Sequence, residues 1–118
     1  MYINTHEDDQ ISLTLKEFAI LTALADRPAS AYTIAGICAE DANTARGSYG
    51  SLHVAIQRLA RVSLIKRIET HGYRNPGKPR IVYQLTATGQ LILKWHCDRL
   101  EHLTALARRR LSAALPGQ

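Results

Sequence analysis

Residues 64–85 read LIKRIETHGYRNPGKPRIVYQL, and this stretch decides the fold. Residues 64–69 and 80–85 are short runs rich in isoleucine, valine and tyrosine, which predict two β-strands. Residues 70–79 contain two glycines, two prolines and an asparagine, a composition typical of a loop longer than a tight turn. The stretch therefore predicts a β-hairpin, in a chain whose other segments have helical periodicity.

Three predicted helices precede the hairpin. Thr14-Leu15-Lys16-Glu17 has the spacing of a capping box and begins the first helix, which Arg27-Pro28 is expected to stop. Ser30 is the predicted cap of a second helix over residues 31–40, and a third helix is predicted over residues 48–62. Three helices followed by a hairpin predict a mainly α, winged helix-turn-helix fold, in which the third helix enters the major groove of DNA.

The apolar positions of the second and third helices predict their buried faces. In the second helix they are Tyr32, Ile34, Ala35 and Cys38. In the third helix they are Leu52, Ala55, Ile56 and Leu59, so that Gln57, Arg58 and Arg61 are expected to point towards solvent.

A long last helix follows the hairpin. Thr86 is its predicted cap, and residues 87–114 would extend about 40 Å, too far for a domain of this size to cover. Its apolar stripe contains Leu93, Leu100, Leu103, Ala107, Leu111 and Ala114, widened by Ile92, Trp95 and Leu106. We expect a second copy of the chain to cover this stripe, giving a homodimer. The predicted organisation is an arm over residues 1–12, a winged-helix domain over residues 13–86 and a dimerisation helix over residues 87–115.

The positive charge is concentrated in one segment. Residues 46–80 hold eight basic residues and one acidic residue, whereas residues 1–45 hold two basic and seven acidic residues. A basic segment that coincides with the third helix and the hairpin favours double-stranded DNA as the partner. The alternative is a basic face that is merely solvated.

Candidate DNA-binding residues lie in both parts of this segment. Small residues at the start of the third helix allow its N–H groups to approach a phosphate, and glutamine and arginine can pair with base edges. The candidates are Ser48, Tyr49, Ser51, His53, Gln57, Arg58 and Arg61 on the helix, and Lys66, Arg67, Arg74, Lys78 and Arg80 on the hairpin. Alternatively, Ser48 only caps the helix and Tyr49 only packs. Tyr83 is expected in the core beneath the hairpin.

Three stretches resemble the PadR-like family of winged-helix transcription regulators. They are residues 30–34 (SAYTI), 50–59 (GSLHVAIQRL) and 77–89 (GKPRIVYQLTATG). The chain departs from the family pattern at four positions, with Ala31 and Ser63 in place of glycine, His53 in place of tyrosine and Val54 in place of proline. The resemblance implies a DNA-binding regulator, most often a repressor, that dimerises through its last helix. It also implies that Trp95 could line a pocket for a small aromatic effector, although a packing role is the alternative.

Other classes of function have less support. The two cysteines, Cys38 and Cys97, do not form a disulfide framework, and no signal peptide or apolar run long enough for a membrane span is present, so a reduced, cytoplasmic protein is expected. No P-loop, GxSxG or HExxH motif is present, which favours a protein that is not an enzyme and needs no cofactor. His96, Cys97 and His102 diverge around the last helix, so we expect no metal site.

The remaining alternative is a winged-helix module for protein interaction, or for RNA or replication. Residues 108–110, three arginines, are either a solvated helix end or a further DNA contact.

Overall fold

The computed structural model describes residues 12–41, 49–71 and 77–115. In chain order its elements are α1 (Leu15–Ala23), α2 (Ala31–Asp41), α3 (Tyr49–Arg61), β1 (Ile65–His71), β2 (Pro79–Leu85) and α4 (Ala87–Ala114). This is the predicted winged helix-turn-helix with a long C-terminal helix, in which β1 and β2 form the wing. The predicted N-terminal arm lies outside the described residues apart from Ser12.

The predicted caps of the first two helices are confirmed. Thr14 Oγ1 accepts from the Glu17 N–H over 3.1 Å, and the Glu17 carboxylate accepts from the Thr14 N–H over 3.0 Å. Ser30 Oγ accepts from the Thr33 N–H over 3.2 Å at the start of α2. However, α1 ends at Ala23, before Arg27-Pro28, so the proline is not what terminates it.

The wing is an antiparallel pair that a third segment extends. Ile65 lies opposite Leu85 at its base, and His71 lies opposite Pro79 towards the tip. Between α1 and α2, Ala29 exchanges two backbone hydrogen bonds with Tyr83, of 3.0 and 2.8 Å. The wing is therefore held to the helical part of the domain through its own backbone.

The core lies between α1, α2, α3 and the base of the wing. Its most deeply buried residues are Ile20, Leu21, Ile34, Cys38, Ile56, Leu59, Leu64 and Ile65. The predicted stripe of α3 faces this core, with Ala55 at its half-buried margin, and Tyr83 is buried as expected. Tyr32 was predicted to make apolar contacts, and that prediction is wrong because the side chain is 82% exposed. Ile34 of the same turn is fully buried, so Tyr32 is exposed because it lies on the outer side of α2, together with Gly36 one turn later.

A Schellman motif ends α3. The Leu64 N–H donates to the Leu59 carbonyl over 3.0 Å, and the Ser63 N–H donates to the Ala60 carbonyl over 3.1 Å. This arrangement requires a left-handed residue, and Ser63 has φ 66°. A glycine would take this conformation without strain, which explains why glycine is the residue that the resemblance associates with this position.

The start of α4 is hydrogen-bonded to the same turn. The Thr86 hydroxyl donates to the Ser63 carbonyl over 2.7 Å and accepts from the Gly89 N–H over 2.9 Å, while the Thr86 N–H donates to the Leu64 carbonyl over 3.1 Å. A β-carbon on Gly89 would overlap the Leu64 carbonyl oxygen and lie 2.9 Å from Leu85 Cδ1. Glycine at this position therefore allows α4 to cross the turn in direct contact.

We predict that Gly89→Ala lowers the free energy of unfolding by about 1–3 kcal/mol, because the added methyl group meets backbone rather than a movable side chain. Gly36→Ala is the matched control. Gly36 is exposed in α2, and a methyl group added there would meet open space, so alanine should stabilise the protein by about 1 kcal/mol through helix propensity. Urea unfolding of both variants measures the two changes, and a Gly89→Ala protein as stable as Gly36→Ala would contradict the close crossing.

Candidate nucleic-acid interface

One face of α3 is exposed along its whole length. Gly50, Val54, Gln57 and Arg61 recur at intervals of three or four residues, and all four are exposed. Leu52, Ile56 and Leu59 are buried on the opposite side. We call these four exposed residues the α3 row. The buried stripe holds the helix in place, so that the row is presented to a partner on a rigid element.

Arg58 does not belong to this exposed surface. It was expected to point towards solvent, but its guanidinium donates to the Glu17 carboxylate over 2.9 Å. The Glu17 side chain is 6% exposed and the Arg58 side chain 35%. The prediction of its orientation was wrong because Arg58 lies beside the row, where a long side chain can reach α1. A buried carboxylate requires a charged or hydrogen-bonding partner, and Arg58 supplies one.

We predict different consequences for the two arginines of α3. Arg58→Ala should lower the free energy of unfolding by roughly 2 kcal/mol, less than for a fully buried pair because solvent reaches the guanidinium. Arg61→Ala should change stability by less than about 0.5 kcal/mol, since its side chain is exposed. Thermal and urea unfolding of both variants check this, and equal stability of the two would show that the ion pair contributes nothing.

Lys16 is a positive charge at this surface that the sequence analysis missed. Its ammonium group, carried on α1, donates to Ser51 Oγ over 2.6 Å near the start of α3. Ser51 is exposed, so the lysine, the serine and the first turn of α3 share one edge of the surface. No pattern within the α3 segment could have indicated a residue 35 positions earlier in the chain.

A groove runs between α3, the start of α2 and the wing. His53 and Gln57 line it from α3, Tyr32 from α2, and Arg67 from β1. Its floor contains Ser30, Ala31, Ala60, Ile81 and Tyr83. Tyr32 is thus a further candidate for partner contact. The sequence analysis missed this role because it assigned Tyr32 to the core. The one sequence feature that could have indicated the role is that Tyr32 lies within residues 30–34, a stretch that carries the family resemblance.

The wing carries exposed cations. Lys66, Lys78 and Arg80 are exposed, with Lys78 and Arg80 towards the tip. Arg67 donates to the Glu69 carboxylate over 2.8 Å, so part of its charge is neutralised within the strand. The predicted contacts of Ser48, of the Tyr49 side chain and of Arg74 lie outside the described residues.

The predicted dimerisation stripe is largely uncovered. Leu93 is half-buried near the start of α4, and the later members Leu100, Leu103, Ala107 and Leu111 are exposed. Leu100 also lines a shallow groove between α4 and Phe18 of α1. Trp95 is 40% exposed, with the Arg99 guanidinium 5.2 Å from its ring centroid and the His96 ring against its edge.

Two classes of site find no support in the described segments. Residues 12–41, 49–71 and 77–115 contain no helix with the length and apolar character needed to cross a bilayer. Among the same residues, no three histidine, cysteine or acidic side chains are grouped so that they could hold a metal ion.

Several solved structures that resemble this fold are described as transcription regulators. A PadR family transcription regulator from Clostridium difficile superposes with a TM-score of 0.72 at 20% identity, covering 83% of this chain and 99% of its own. A PadR-like transcriptional regulator from Bacillus cereus gives 0.69 at 18% identity, covering 80% and 89%. A PadR-like transcription factor from Bacteroides fragilis gives 0.66 at 21% identity, covering 89% and 93%. No family model and no curated protein matches the chain. At such low identity these superpositions establish the fold alone, and to that extent the resemblance to the PadR-like family is confirmed.

Proposed function

We propose that the protein is a dimeric regulator of transcription that binds double-stranded DNA. The observation that carries this proposal is the exposed α3 row together with the groove that separates it from the wing, which Gln57 and Arg67 line. The wing itself exposes the cations Lys66, Lys78 and Arg80. A rigid exposed helix beside a cationic hairpin matches the shape and charge of a major groove and its adjacent phosphates. Several solved structures with the same fold are described as transcription regulators, which supports the same assignment.

The two parts of the surface have different tasks in this proposal. The α3 row enters the major groove, where side chains meet base edges. The wing lies over phosphates, which contributes affinity that does not depend on sequence. Lys16 and Ser51, beside the first turn of α3, add a phosphate contact on the other side of the row.

The stripe of α4 is the proposed dimer contact. Leu100, Leu103 and Leu111 are exposed along a helix of 28 residues, an apolar surface that a second α4 can cover. A two-fold dimer would present two α3 rows to two half-sites of a palindromic operator. Occupation of a promoter by such a dimer would block transcription, in keeping with the repressor role that the resemblance implies. An aromatic effector at Trp95 stays a prediction, and Arg99 already covers one face of that ring.

We predict that the double variant Lys78→Ala/Arg80→Ala weakens binding to all duplex sequences alike. In a plot of log affinity against log salt concentration, removing two phosphate contacts should reduce the steepness of the slope by about 1.8 per half-site. Mobility-shift titrations of random duplex DNA at several salt concentrations measure this slope.

The double variant Arg109→Ala/Arg110→Ala is the matched control, since it removes the same charge from the end of α4. It should keep the slope of the unmodified protein if that helix end is only solvated. An equal loss of slope in both variants would show that the effect is not local to the wing. If the unmodified protein binds no duplex at low salt, the regulator proposal fails and the alternative of a protein-interaction module gains support.

We further predict that Leu103→Glu converts the protein from a dimer to a monomer, because a charge would be buried in the apolar contact. Sedimentation equilibrium should give twice the chain mass of 13.1 kDa for the unmodified protein and a single chain mass for the variant. Val54→Glu, which places the same charge on an exposed position of α3, should remain dimeric. A monomeric unmodified protein at micromolar concentration would contradict the proposed dimer.

A further inference from the structure

Val54 is an unusual residue for an exposed position of a helix. Its side chain is 67% exposed in the middle of α3, although its neighbours Leu52 and Ile56 are fully packed. Valine is a weaker helix former than alanine, and on an exposed position it gains no packing within the chain to compensate. Unlike Leu15, which is equally exposed on α1, Val54 stands within the α3 row, so its methyl groups are presented to whatever the row binds.

The neighbours of Val54 limit what that contact can be. Gln57 follows it in the α3 row, one turn further along the helix, and Gly50 precedes it. The middle of the row is therefore uncharged and offers one apolar and one amide side chain, whereas the charged groups Lys16 and Arg61 lie towards its two ends. In a groove lined by phosphates, the ends of such a row meet the backbone and its middle meets the bases.

From this arrangement we infer that Val54 and Gln57 make the protein selective for two neighbouring A·T pairs. Val54 packs on the 5-methyl group of a thymine, the apolar group that a base edge presents in the major groove. The Gln57 amide pairs with N6 and N7 of an adenine. This inference rests on the proposed function, because it assumes that the α3 row lies in the major groove.

The spacing of the two residues suits neighbouring base pairs. Three residues of an α-helix rise about 4.5 Å, and successive base pairs along one strand are about 3.4 Å apart. A helix inclined to the groove therefore brings both side chains to adjacent pairs. Gln57 also borders the groove that His53 and Tyr32 line, but it differs from His53 in being exposed within the α3 row.

Base analogues test the two contacts separately. The full-length protein first selects its preferred site from a library of random duplexes. Synthetic duplexes of that site then carry, one position at a time, deoxyuridine for thymine, which removes only the methyl group, or 7-deazaadenine for adenine, which removes N7. Each duplex is titrated with the unmodified protein, Val54→Ala and Gln57→Ala. Leu15→Ala is the control for truncation of an exposed apolar side chain, since Leu15 is 68% exposed on α1.

At one position in each half-site, we expect deoxyuridine to lower the affinity of the unmodified protein about fourfold, which is the effect of losing one buried methyl group. Val54→Ala should lose most of that sensitivity, and Leu15→Ala should keep it. One adjacent 7-deazaadenine should weaken binding about tenfold for the unmodified protein and very little for Gln57→Ala.

The outcomes separate the two proposals. If Val54→Ala still distinguishes thymine from deoxyuridine as the unmodified protein does, or if the selected site has no A·T pair next to another, the inference is overturned while the regulator proposal stands. If the unmodified protein binds no duplex at any salt concentration, both are overturned.

Discussion

The ion pair between Glu17 and Arg58 ties α3, the helix on which the interface depends, to the start of α1. Glu17 caps α1 through its backbone contact with Thr14 and uses its other carboxylate oxygen, over 2.9 Å, to hold Arg58 of α3. One side chain therefore begins the first helix and orients the third. Because the carboxylate is almost fully buried, any rotation of α3 that broke the pair would leave a charge without a partner. The buried stripe of α3 and this ion pair together keep the exposed row in a fixed direction.

A second junction connects this helix to the rest of the proposed assembly. The Schellman turn after α3 offers the carbonyls of Ser63 and Leu64, and Thr86 at the start of α4 binds both. Gly89 removes the side chain that would otherwise keep α4 away from the turn. In the proposed dimer, the separation of the two α3 rows would be determined by the angle at which α4 leaves this junction. The strained Ser63 indicates that the geometry of the turn takes precedence over the preference of the residue.

Several features could be predicted from the sequence because they depend on neighbours along the chain. The capping box at Thr14 and the cap at Thr86 need only residues three positions apart, and both are present. The apolar stripe of α3 and the two strands of the wing follow from periodicity. Features that depend on a distant partner were predicted less well. Arginine is a residue type that often contacts DNA, but the Arg58 side chain is bound by the buried carboxylate of Glu17, 41 positions earlier in the chain.

The same limit applies to residues whose exposure is decided by packing. Tyr32 is of a residue type that often packs in a core, yet it lies on the outer side of α2, in the groove beside His53. Val54 lies in an amphipathic segment with other apolar residues, and periodicity alone did not mark it as part of an exposed surface.

Local patterns along the chain specify the order of elements, the positions of the caps and the concentration of basic residues on α3 and the wing. These are local properties, encoded by spacing and composition over a few residues. Only the tertiary structure decided which cations remain available to a partner, since the Glu17 carboxylate binds Arg58 whereas Arg61 remains exposed. It also decided that Lys16 of α1 joins the start of α3 and that Val54 stands in the exposed row. The physical reason is that burial and ion pairing depend on distances between segments far apart in the chain, which no local pattern contains.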